Sequence, residues 1–110
     1  MKTHMPLLVM SITAASAIGQ RRFVGLDGDL CGAGDKALGV TEYAVDAADQ
    51  ASVNANGVIL IEAAAAIAVG AEVESDAAGK AITLSAGVSN GYALDAATAD
   101  GDVIRIVRGI

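Results

Sequence analysis

The chain has 110 residues and a formal net charge of −6; 54% of it is apolar, but only 3% is aromatic and tryptophan is absent. That length supports one domain, or two small lobes sharing a core. No Lys/Arg patch tracks phosphates, which argues against binding DNA or RNA, and a single cysteine, Cys31, rules out an internal disulfide scaffold.

In chain order, Met1 to Pro6 reads as an arm closed by the only proline. Lys2 and His4, the apolar Leu7–Met10 and the small-residue Ala15-Ser-Ala17 imitate a signal peptide. The apolar run is short, and Ile12–Ile18 belongs to an internal repeat that cleavage would halve, so the N-terminus is expected to be retained. Leu7 to Thr13 has strand composition, and Arg22 to Leu26 is a second strand. Asp27-Gly-Asp29 is a turn signal, Gly32–Asp35 a loop, and Leu38 to Val45 a third strand. Asp46 to Gln50 turns again. Ala51–Ala55 and Gly57–Ile61 are expected as two strands around an Asn54–Gly57 turn.

Ala63 to Val69 is ambiguous. Alanine propensity favours helix, and Gly70 would end it after a single turn. Ala71–Ser75 and Lys80–Leu84 are strands around an Asp76–Gly79 turn. Gly91–Leu94 leads into Asp95–Thr98, Asp100-Gly-Asp102 is the last turn, and Val103–Val107 the last strand. The apolar stretch Val58–Val73 is broken by Glu62, Gly70 and Glu72 and falls short of the roughly 20 residues a membrane span needs. Many short strands with turn signals every eight to twelve residues point to a small all-β barrel or sandwich.

The chain also says nearly the same thing twice. Ile12-Thr-Ala-Ala-Ser-Ala-Ile18 is answered by Ile61-Glu-Ala-Ala-Ala-Ala-Ile67, and Val45-Asp-Ala-Ala48 by Leu94-Asp-Ala-Ala97. A half-chain offset divides the sequence into repeats of about 11–60 and 61–110. What is repeated is scaffold: Ala, Ile, Val and Gly. Alanine contributes little burial, at about 25 cal/mol per Å², so the core margin is thin and association with a copy or a larger surface is expected.

Chemistry-bearing motifs are sparse. The Asp-Gly-Asp turns invite a calcium reading, but Leu38 stands where an EF-hand loop begun at Asp27 needs its closing Glu. Gly32-Ala-Gly34 lacks the third spaced glycine of a dinucleotide loop and no Walker lysine follows. His4 is the only histidine and lies in the expected arm, a poor place for preorganised catalysis. One Cys and one His cannot make a zinc site. Asp29 and Asp35 would raise the Cys31 thiol pKa, giving a passive cysteine. Glu62 reads as an exposed strand or cap position. Arg21-Arg22 reads as a solvated turn or an interface pair. Arg105 and Arg108 either meet acidic groups on a partner or keep an edge soluble. Tyr43 and Tyr92 suit an interface and a half-buried strand equally. No catalytic residue, cofactor site or metal site is assigned.

Six stretches carry a family resemblance: Met1-Lys-Thr-His-Met-Pro6 with the apolar strand after it, Ile12–Ile18, Leu38-Gly-Val-Thr41, Glu62–Gly70, Ser75–Lys80 and Gly91–Arg105. In this order they resemble the capsid cement, or head decoration, proteins of tailed bacteriophages. The resemblance implies a non-enzymatic structural virion protein on the outer capsid surface, made in the host cytoplasm. It would tie major capsid proteins together and act as a homodimer or homotrimer, with no nucleic acid or membrane partner. It implies a β-tulip- or β-clip-like barrel, or a jelly roll. It also implies a capsid-binding arm over residues 1–10 (Thr3, His4, Met5, Pro6, Leu7, Leu8, Val9 and Met10) ahead of a single β-domain over 11–110. The candidate interface residues are then Arg21, Arg22, Tyr43, Tyr92, Arg105 and Arg108. The rival reading is a small exported or surface carbohydrate-binding β-domain. It is supported by the signal-like N-terminus and opposed by the poverty of aromatics.

Overall fold

A computed structural model of the chain describes residues 4–109. The described residues are all-β: strands β1 (Met5–Thr13), β2 (Phe23–Gly25), β3 (Ala37–Thr41), β4 (Gln50–Glu62), β5 (Val73–Ser75), β6 (Ala81–Thr83), β7 (Tyr92–Ala93) and β8 (Val103–Arg108). No helix long and apolar enough to cross a membrane occurs among them. Six strands form one antiparallel sheet in the order β2-β3-β4-β8-β7, with β1 added to β4, and β5-β6 form a separate hairpin. The large sheet curls into a half-barrel.

The thirteen-residue β4 organises the fold. Val53 and Asn54 pair with both β1 and β3, and Gly57 and Val58 with both β1 and β8. A strand has two edges, so β1 holds one edge of β4 while β3 and β8 share the other. β1 has no other strand partner among the described residues.

Alternation explains the core. On β4 and β8 the facing pairs Ile59–Ile106 and Ile61–Ile104 point inward and are fully buried. They pack with Phe23, Val40, Ile67 and Val73 in the main cluster. A second cluster gathers Ala14, Ile18, Val24, Ala51 and Val53, with Ile12 against it.

Two expectations are corrected. Asn54–Gly57 is not a turn, because β4 runs straight through it. Gly57 adopts φ +100° inside the strand, and its glycine signal marks a close backbone approach rather than a reversal. Ala63–Val69 is not helical. The Ala63, Ala64 and Ile67 N–H groups donate to the carbonyls of Asp102 (2.7 Å), Ala81 (2.9 Å) and Ala97 (3.0 Å). Bonds to distant chain, with Ala63 and Ile67 in the core, override alanine's helix propensity. The Asp-Gly-Asp segments are turns, with Gly28 at φ +82° and Gly101 at φ +94°. No group of three metal-ligating side chains occurs among the described residues.

Candidate interaction surface

β1 is nine residues long, and among the described residues one of its edges carries no strand. Its side chains lie open on both faces: Leu7 is 83% exposed, Met5 61%, Leu8 50% and Val9 49%. A long apolar edge strand is a template for pairing with another chain unless something blunts it. Of the usual blunting devices, Pro6 and a bulge are present, but Met5–Thr13 carries no charged residue. Of the expected arm, Thr3 lies outside the described residues, and Met5–Met10 is built into the sheet as the first part of β1, which runs on past residue 10 to Thr13.

The outward face of the sheet continues this surface. Met5 faces Val58, Val58 faces Val107 and Val107 faces Tyr92. Directly opposed residues share a face, so the four make an apolar row across β1, β4, β8 and β7. Leu60 stands on the same face of β4, facing Arg105.

Beside the row, His4, Arg21, Tyr43, Asn54 and Leu60 line a groove of about 210 Å³. The His4 Nε2 lies 3.7 Å from Glu42 Oε1. Tyr43 is 65% exposed, and Arg21 holds a left-handed backbone at φ +57°. Asn54 is buried, and its Oδ1 has no hydrogen-bond partner.

The six candidate interface residues divide. Arg21 and Tyr43 share the groove and Tyr92 ends the apolar row. The other three cations are engaged inside the molecule. Arg22 and Lys80 each reach Glu62 at 3.0 Å, and Lys80 reaches Asp100 at 2.8 Å. The Lys80 ammonium, with burial acting against it and Arg22 assisting, holds the Glu62 carboxyl below its ordinary range. Arg105 makes a two-pronged pair with Asp95, donating through Nε and Nη2 at 2.9 Å each, and this pair raises the guanidinium pKa. Arg108 Nη2 donates to the Ala37 carbonyl at 2.7 Å while Nη1 is buried without a partner. Burial pulls its pKa down. Cys31 is buried, and desolvation above all raises its thiol pKa.

Sequence reasoning missed Val58 and Val107, and it read Glu62 as an exposed strand or cap position where the side chain is half-buried and paired with Arg22 and Lys80. The signal for the first two was present: in Val58-Ile-Leu-Ile61 and Val103-Ile-Arg-Ile-Val107, successive residues must face opposite sides of the sheet. Nothing local announced the partners of Glu62, which lie 40 and 18 positions away.

The family described as phage cement protein matches residues 3–108. Among solved structures the chain is similar to the head fiber gp8.5 N base of bacteriophage phi29, with a TM-score of 0.73 and 20% identity over 91% of this chain and 92% of that one. At that identity the likeness is one of fold. No curated protein sequence matches significantly.

Proposed function

Because the chain belongs to the phage cement protein family, we propose that it binds the outer surface of a tailed-phage capsid and stabilises contacts between major capsid proteins. The observation that carries this reading is the open edge of β1 with Met5, Leu7, Leu8 and Val9 exposed along it. Strand addition at such an edge takes affinity from main-chain hydrogen bonds and specificity from alternate side chains. It needs no catalytic group and fits a chain in which Arg22, Lys80 and Arg105 are ion-paired internally. Repetition on a lattice lets modest single contacts sum through avidity. On this reading the protein sits on the virion exterior, is made in the host cytoplasm and associates with itself as a homodimer or homotrimer. The Val58–Val107–Tyr92 part of the row, on β4, β8 and β7, is the apolar surface available for that association.

A duplicated origin for the scaffold is part of the same proposal. The pairs Thr13–Gln50 and Glu62–Val103 each close an antiparallel ladder. Immediately after, Ala14 donates to Asp49 and accepts from Ala48, while Ala63 donates to Asp102 and accepts from Gly101. Ile18 then exchanges both backbone bonds with Val45, and Ile67 with Ala97. The bonding pattern recurs, although Val45 is matched here by Ala97 and not by the Leu94 of the sequence repeat, and this recurrence supports two units that share β4, as the last strand of one and the first of the other.

Co-sedimentation with empty, expanded phage heads tests the functional reading. Saturable binding at a fixed copy number per shell is the expected result. Absence of binding to any shell rejects it.

A further inference from the structure

The two ends of β1 are held differently. Met5 and Pro6 face Val58 and Gly57, Leu8 faces Asn56, and Val9 to Thr13 face Asn54 to Gln50. Leu7 has no facing residue on β4, and Ala55 has none on β1. Each strand therefore carries one slip, and the slips cancel, leaving the ladder in two pieces joined by an irregular step.

The pieces differ in what anchors them. In the longer one, Ile12 packs on the second core cluster. Ser11 Oγ donates to Gln50 Oε1, and Gln50 Nε2 donates to Thr13 Oγ1. In the shorter one, none of Met5, Pro6, Leu7 or Leu8 belongs to either core cluster. Pro6 has no N–H to give. The seat beneath it is shaped for backbone: a Cβ on Gly57 would come within 2.6 Å of the Met5 carbonyl oxygen and 2.7 Å of the Leu7 nitrogen. Ahead of Met5, the His4–Glu42 contact is the side-chain tie.

Resting on the reading of the N-terminal half of β1, with Met5, Leu7 and Leu8 exposed, as the capsid-binding segment, we propose that residues 4–8 are a displaceable strap. The strap leaves β4 at the Leu8–Val9 step and adds to a sheet edge of the major capsid protein, while Val9–Thr13 remains on β4. Two features of the free protein drive the exchange. Ladder bonds given up on β4 are replaced by ladder bonds on the partner, so the backbone account is nearly even. The Met5, Leu7 and Leu8 side chains, which the free protein leaves in water, become buried. Release also returns Gly57 and Val58 to solvent, so the strap stays docked until a partner strand is present.

Two disulfides test this. Met5→Cys with Val58→Cys joins a facing pair across the strap. Ser11→Cys with Ser52→Cys joins a facing pair in the anchored part. Facing Cα atoms in an antiparallel ladder stand about 4.5–5.5 Å apart, within the span of a disulfide, and the buried Cys31 is left in place. With the bonds verified by intact mass, the strap lock should weaken head binding at least tenfold and regain it on reduction. The Ser11–Ser52 lock should bind as the wild type does. A strap lock that binds like wild type overturns the proposal. Amide exchange on the free wild-type protein gives a second readout that needs no cysteine. Exchange at Leu7 and Leu8 should be at least tenfold faster than the slowest amides of Ser11–Thr13, and equal protection along β1 overturns the proposal. If the wild type binds no head at all, it is the functional reading that falls, and amide exchange still decides whether the strap opens.

Discussion

Glu62 and Lys80 lie 3.0 Å apart, joining the end of β4 to the turn before β6, and Arg22 approaches the other oxygen of the same carboxylate, also at 3.0 Å. One side chain thus ties the central strand to the segment ahead of β2 and to the β5–β6 hairpin. The pair is partly shielded, with 24% of the Glu62 side chain exposed, so it is stronger than a fully solvated bridge and still screened.

Glu62→Gln should therefore cost on the order of 1 kcal/mol at neutral pH. The sign with pH follows from the lowered carboxyl pKa. The contribution is complete above the ordinary value of 4.5 and is lost as pH falls through the lower folded value. Thermal melts of wild type and variant should differ at pH 7 and converge toward pH 3. A gap that persists in acid would show that the ion pair is not its source.

Phe23 is the only phenylalanine and is fully buried in the main cluster. It is the largest side chain of a cluster otherwise built from Ala, Val, Ile and Cys31, so its removal leaves a large void. Phe23→Ala should cost about 3–5 kcal/mol, read as a drop in the urea midpoint with the slope unchanged.

Gly87 offers no room for a side chain. A Cβ there would stand 2.4 Å from the Gly34 Cα and 2.0 Å from a Glu74 carboxylate oxygen, and Glu74 is itself buried and accepts from the Ser85 N–H at 2.7 Å. Gly87→Ala should destabilise by about 1–3 kcal/mol through overpacking. A variant as stable as wild type would mean that the loop can move aside at no cost.

Cys31 is buried and its thiol pKa is raised by desolvation. The folded protein at pH 8 should react with a thiol reagent far more slowly than the same chain in denaturant. Equal rates would place the sulfur at the surface.

Among the described residues that a deletion of residues 1–8 removes, none has its side chain in either core cluster. The truncated chain should keep its sheet by circular dichroism and unfold cooperatively. On the proposed function, it should lose head binding. A folded truncate that binds heads normally would separate cementing from the N-terminal half of β1.

The amino-acid sequence by itself determined the class of the molecule. The turn signals at Asp27–Asp29, Asp76–Gly79 and Asp100–Asp102, together with β-branched runs such as Val103–Val107, were enough to read an all-β chain, because glycine geometry and period-two alternation are local properties. The family resemblance was legible in the order of weak motifs along nearly the whole chain. Tertiary structure decided the rest. Ala63–Ile67 gives up helix because its backbone finds partners at Ala81, Ala97 and Asp102. Asn54–Gly57 stays extended because β1, β3 and β8 hold β4 along both of its edges. Arg22, Arg105 and Arg108 look no different in sequence from Arg21, yet their charges are used inside the molecule by residues up to 71 positions away. Local chemistry fixes what a residue can do. Which partner it meets depends on the long-range pairing of strands, and that pairing left β1 with an open apolar edge.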